Sequence, residues 1–167
     1  MGGDPTARAN FSMTTLHFAY GANMSRAVMR KYAPAARALG PAMLADHRFV
    51  ITADGYASVE AERGQTVHGV LWRITPRDRV LLDAWENVEA GLYRAGVVPV
   101  RRKRCMAPAL VYFARPNGEG RPKPGYMELV IAAAQEWELP EAYIRSLQGY
   151  LAMRPRGADA RKIGECR

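Results

Sequence analysis

The chain has 167 residues, 49% of them hydrophobic and 24% charged, which suffices for one domain whose core needs no metal or disulfide staple. No apolar run approaches the about 20 residues that a membrane helix requires, the longest worth naming being Leu129-Val130-Ile131-Ala132-Ala133-Ala134, so no membrane partner is expected. The net charge of +8 is concentrated in Arg101-Arg102-Lys103-Arg104 and in Arg154 to Arg167; it raises nucleic acid as a partner class, but no stacking aromatics interleave with Arg101 to Arg104, and nucleic acid is not expected either.

Residues 1–12 (MGGDPTARANFS) are small and polar, lack a signal-peptide core and precede a second methionine, Met13, so they read as an extension outside the fold. Thr15 to Tyr20 alternates and is rich in aromatics, as a strand should be, and it runs into Gly21, where a turn can expose backbone N–H groups. Ser25 can cap a short helix through about Lys31, before Pro34. His47 to Thr52 and Tyr56 to Val59 read as short strands around an Asp54-Gly55 turn, and Thr66 to Ile74 as a longer one with a close backbone approach at Gly69.

Thr75, Pro76 and Asp78 then spell a helix start, with cap, first helical position and capping box in order, and Val80, Leu81, Trp85 and Val88 supply an apolar stripe. Tyr93 to Met106 and Ala109 to Ala114 read as paired strands, with Arg101 to Arg104 alternating into solvent or curling at an edge. Arg115 to Gly125 (RPNGEGRPKPG) is a Pro/Gly loop and the segment expected to move most. A helix follows with Tyr126, Leu129, Val130, Ala133, Ala134 and Trp137 on one face, then a second from Leu139-Pro140-Glu141 with Ile144, Leu147 and Leu151 toward the core. Strands with one inserted helix and two terminal helices indicate an α+β fold spanning residues 13–152, followed by a basic tail, 153–167.

Little of the sequence offers chemistry. His17, His47 and His68 are scattered singly, without carboxylates at ligand spacing, so no metal is expected. Gly118 and Gly120 form no phosphate loop, no GxSxG elbow exists, and the isolated Cys105 and Cys166 make no redox motif, which leaves the cytosol as the default compartment. What remains is a carboxylate and a glycine turn. Glu86 falls near the C-terminal end of its helix, where the macrodipole disfavours its charge, and Trp85 and Val88 stand close enough to shield it; both effects raise its pKa toward that of a proton shuttle.

Together these segments resemble the γ-glutamylcyclotransferase family, including its AIG2-like relatives, from about Leu16 to Tyr143. Phe18-Ala19-Tyr20-Gly21-Ala22-Asn23 is similar to the family's N-terminal FAYGSN loop, and Gly69-Val70-Leu71-Trp72 to the strand before its catalytic helix. Leu82-Asp83-Ala84-Trp85-Glu86, continuing to Gly91-Leu92-Tyr93, resembles the segment that carries the catalytic glutamate. Pro124-Gly125-Tyr126 and Leu139-Pro140-Glu141-Ala142-Tyr143 resemble the tyrosine-bearing helix and the LPxxY segment. Three separated matches in one order are far more specific than any one of them.

The resemblance implies a small mixed β-barrel with flanking helices, no cofactor, and a small γ-glutamyl substrate whose own α-amine attacks its γ-carbonyl to give 5-oxoproline and a free amine. On that reading Glu86 is the acid/base. Tyr20, Gly21, Ala22 and Asn23 hold the glutamyl part through backbone donors, at either the α-carboxylate or the oxyanion, while Tyr126 contacts the substrate and Tyr93 lines the pocket. Ala22 stands where the family usually has serine or threonine, which deletes a hydroxyl and keeps the N–H; a non-catalytic binding domain of the same fold is therefore the alternative.

Overall fold

A computed structural model describes residues 14–152; the N-terminal extension with Met13, and the basic tail with Cys166, lie outside them. Five strands close a barrel: β1 Thr15–Ala19, β2 Arg37–Ile51, β3 Ala57–Ile74, β4 Tyr93–Arg102 and β5 Cys105–Ala114, in the order β1-β3-β2-β4-β5. The pairings are antiparallel except at the closure, where His17 meets Leu110 in parallel register, so the barrel is mixed as expected. Helices α1 Arg26–Tyr32, α2 Pro76–Trp85, α3 Tyr126–Glu136 and α4 Glu141–Gln148 flank it. Phe18, Leu44, Val70, Ile74, Leu110 and Val111 fill the core, and Leu82, Met127, Val130 and Leu147 join it from the helices.

The three short strands read from the sequence are two long ones. His47 to Thr52 is the second half of β2, and Tyr56 to Val59 and Thr66 to Ile74 are the ends of β3. The register jumps from Ala45 opposite Thr66 to His47 opposite Ala61, leaving residues 62–65 bulged opposite Asp46, which takes a left-handed φ of 55° and accepts a 2.8 Å bond from Gly64 N–H. Residues across this bulge are exposed, so no alternation marks them as strand. The close approach expected at Gly69 is real: a Cβ there would lie 2.2 Å from the Ala19 carbonyl oxygen and 2.8 Å from the Phe18 ring.

Helix α2 starts as its sequence says. The Thr75 hydroxyl accepts from Asp78 N–H at 3.1 Å, and the Asp78 carboxylate accepts from Thr75 N–H at 3.0 Å, closing the capping box. Its buried face is not the predicted one. Asp78 and Leu82 point inward, whereas Val80 is 67% and Leu81 40% exposed. The inward stripe opens on a carboxylate that also accepts from Ala35 N–H at 3.1 Å, and a pattern sought in apolar residues passes over it.

On α3 the expected Val130, Ala133 and Ala134 are buried, and the face is shifted only at its edge. Met127 and Ile131 are buried and Leu129 is 36% exposed. In α4 Ile144 and Leu147 are buried, but Leu151 falls in a final 3-10 turn and is exposed. Arg101 and Arg102 finish β4, and Lys103-Arg104 make the turn into β5, with Lys103 at φ 55°. The Pro/Gly loop is bonded to the end of β2 and to the turn after it. Ala53 N–H donates to Gly118 O at 2.9 Å, Gly120 N–H to Ile51 O at 2.8 Å and Lys123 N–H to Gly55 O at 3.1 Å.

Candidate active site

A cavity of about 690 Å³ opens at one end of the barrel, between the turn after β1, the C-terminal end of α2 and the start of α3. All seven residues singled out in the sequence, Tyr20, Gly21, Ala22, Asn23, Glu86, Tyr93 and Tyr126, line it. They come together because β1 is paired to β3, whose far end feeds α2, so the turn leaving β1 and the end of α2 are brought to one rim.

Glu86 caps α2 with φ −80° and ψ 0°, and its half-buried carboxylate accepts a 2.7 Å bond from Asn23 Nδ2. Burial pushes its pKa up to about 7 and the Asn23 bond pulls the other way. Trp85 is 41% exposed and lies stacked on Tyr32, and four tyrosines, Tyr20, Tyr93, Tyr112 and Tyr126, line the same cavity as the carboxylate. Burial raises the hydroxyls of Tyr20, Tyr93, Tyr112 and Tyr126, the last to about 12, and the nearby Glu86 charge raises each further. They remain neutral hydrogen-bonding groups where Glu86 titrates.

The turn after β1 is a 3-10 turn, Ala22–Met24, entered through Gly21. Its first N–H groups precede the turn's own ladder, and those of Gly21, Ala22 and Asn23 meet no backbone carbonyl among the described residues. Gly21 has no room for a side chain: a Cβ would lie 2.9 Å from the Tyr126 hydroxyl. Asn23 is buried, and with Nδ2 spent on Glu86 its Oδ1 meets no partner among the described residues. The Tyr20 ring lies in the wall with its hydroxyl donating to Tyr112 O, so that hydroxyl is already occupied.

Ala57, at the start of β3, fixes both remaining tyrosines. Its N–H donates to the Tyr126 hydroxyl at 3.2 Å and its carbonyl accepts from the Tyr93 hydroxyl at 2.8 Å. Sequence reasoning missed this clamp, since it is made of main-chain atoms. It also missed Tyr112, whose hydroxyl donates to Asp83 Oδ1 at 2.6 Å, with Asp83 held by Arg79 Nε at 2.8 Å. A lone hydroxyl in the apolar run Leu110 to Phe113 was the available signal, because a buried tyrosine needs a partner. His17 lines the inner wall, fully buried, with Nδ1 against Leu110 O at 3.2 Å and Nε2 unpaired; burial lowers its pKa to about 4, so it is neutral. The loop from Arg115 to Gly125 does not line the cavity, whose outer wall is made by α1, Trp85, Leu92 and Leu129. Among the described residues no group of His, Cys, Asp and Glu is arranged to hold a metal.

Residues 66–147 match the AIG2-like family. The fold is similar to that of a protein named gamma-glutamyl cyclotransferase, at 23% identity and a TM-score of 0.78 over 88% of this chain and 92% of that one. An uncharacterized protein from Homo sapiens superposes with a TM-score of 0.77 at 24% identity, over 91% of this chain and 94% of the other. A gamma-glutamyl cyclotransferase specific to glutathione from yeast is more distant, at 10% identity and a TM-score of 0.54 over 83% and 95% of the two chains. At these identities the likenesses establish the fold. No curated protein matches the chain in sequence.

Proposed function

From the match of residues 66–147 to the AIG2-like family we propose that this chain is a member of it, a cytosolic γ-glutamylcyclotransferase-like enzyme that releases 5-oxoproline and a free amine from γ-glutamyl amides. The observation that carries the proposal is Glu86, a carboxyl group raised to about 7, facing the cavity and hydrogen-bonded across it to the glycine turn. No covalent enzyme nucleophile is required. The substrate's α-ammonium gives a proton to Glu86, the freed nitrogen attacks the γ-carbonyl carbon, and the bond from that carbon to the amide nitrogen breaks as Glu86 returns the proton to the departing amine; the ring nitrogen then gives up its second proton by way of Glu86, leaving a neutral lactam and an ammonium ion.

The neighbours divide the remaining tasks. Asn23 holds the carboxylate through Nδ2 and offers its unpaired Oδ1 to the α-ammonium, placing donor and base side by side. The N–H groups of the turn take the α-carboxylate or the oxyanion. Tyr93 and Tyr126, held by Ala57, keep the pocket narrow around the glutamyl chain. Ala22 lacks a hydroxyl that the family usually has, and a binding domain without turnover is the competing reading. Incubation with γ-glutamyl amino acids and amines decides between them: the enzyme forms 5-oxoproline and loses that activity as Glu86→Gln, whereas a binder is stabilised against heat by the same compounds and forms none.

A further inference from the structure

Resting on the cyclotransferase reading, the geometry points to a bulky, apolar leaving amine, an arylalkyl amine laid against the exposed face of Trp85. The cavity of about 690 Å³ is larger than a γ-glutamyl group needs, and its inner end, from Tyr20 to Asn23 and Glu86, already accounts for that group. What remains is the outer wall. There Tyr56 (40% exposed), Trp85 (41%), Leu92 (50%) and Leu129 (36%) stand open to solvent, so four of the nine exposed large hydrophobic side chains among the described residues border one cavity. Apolar surface collected at a cavity mouth is surface that a ligand covers.

Trp85 is the centre of that wall. It directly precedes Glu86 in the chain, and its ring is stacked on Tyr32 at 3.7 Å between centroids with 24° between planes, which sets its orientation while the residue stays exposed at the cavity wall. A rigid aromatic face beside the proton donor suits an aryl group one short alkyl link away from the nitrogen being protonated. The wall is correspondingly poor in charge. Apart from Glu86, the charged lining residue is Lys31, exposed, with Nζ 5.0 Å from the Tyr32 ring centroid. A leaving group bearing a carboxylate, such as the cysteinylglycine of glutathione, would meet one solvent-facing cation and lose contact with the apolar surface.

Glu86→Gln binds without turning over, so its affinities report the subsite alone. Calorimetric titration of that variant with γ-glutamyl-2-phenylethylamide, γ-glutamyl-methylamide and glutathione should give a Kd for the first at least about tenfold below the other two. Adding Trp85→Ala should shrink the preference to about twofold, and Trp85→Phe should restore most of it. Because the preference is a ratio within one protein, it does not depend on the yield of folded protein. Equal affinities, a preference for glutathione, or no binding of any of the three overturns the inference. Selective binding combined with no 5-oxoproline from the wild-type protein upholds the aryl subsite and sinks the cyclotransferase reading instead.

Discussion

A carboxyl group raised to about 7 serves as a base only where it has given up its proton, and this ties Glu86 to a pH profile. The kcat/KM for 5-oxoproline formation should fall as pH drops below about 7, following a single protonation, and Glu86→Gln should lose about 10²- to 10⁴-fold in rate across the range. The same residue makes a second, independent prediction. Its folded pKa is above the ordinary 4.5, so between about 4.5 and 7 the native state keeps a proton that the unfolded chain has released, and stability falls as pH rises through that window. Glu86→Gln removes this penalty while retaining an acceptor for Asn23; its melting temperature should exceed that of the wild type near pH 8 and converge on it toward pH 4.5. Glu86 and the turn were legible in the sequence because proton transfer demands a carboxylate and a tight turn demands glycine. The bond from Asn23 to Glu86 was not, since it joins positions 63 residues apart that only the barrel brings together.

Among the elements, α2 was legible at its start and misread along its face. Capping is local chemistry among neighbours, so Thr75, Pro76 and Asp78 announce it; burial depends on what the helix lies against, and there Asp78 and Leu82 face inward in place of the expected Val80 and Leu81. Asp78→Ala removes acceptors from both Thr75 N–H and Ala35 N–H at a buried position and should cost about 2 kcal/mol or more, measured by denaturant unfolding. Pairing of β1 with β3 makes a comparable demand on a residue without a side chain. Gly69→Ala forces a Cβ to 2.2 Å from the Ala19 carbonyl oxygen, and a loss of about 3 kcal/mol is expected from the same measurement. The long hairpin of β2 and β3 was legible only in pieces, because the bulge at residues 62–65 is exposed and leaves no periodicity to read.

For the molecule as a whole, two buried groups set opposing slopes in one range of pH. His17 has its pKa lowered to about 4, so the native state binds fewer protons than the unfolded chain between about 4 and 6.5, and stability falls as pH falls through that window. Glu86 acts with the opposite sign over nearly the same interval, and the two contributions offset one another. Glu86→Gln should therefore expose the histidine's slope, making stability fall more steeply on acidification than in the wild type, as chemical unfolding at a series of pH values would show. A flat profile in the variant would mean that His17 is not held neutral by its surroundings. One further trait of the assembly concerns Ala57, whose peptide atoms moor two aromatic rings of the cavity. Any amino acid except proline could supply the same backbone moorings, but Ala57 is buried and itself lines the cavity, so a larger side chain there would narrow the aperture while leaving both rings moored. Redesign for smaller ligands can therefore begin at a position whose peptide atoms already hold the pocket's walls, without disturbing the rings themselves.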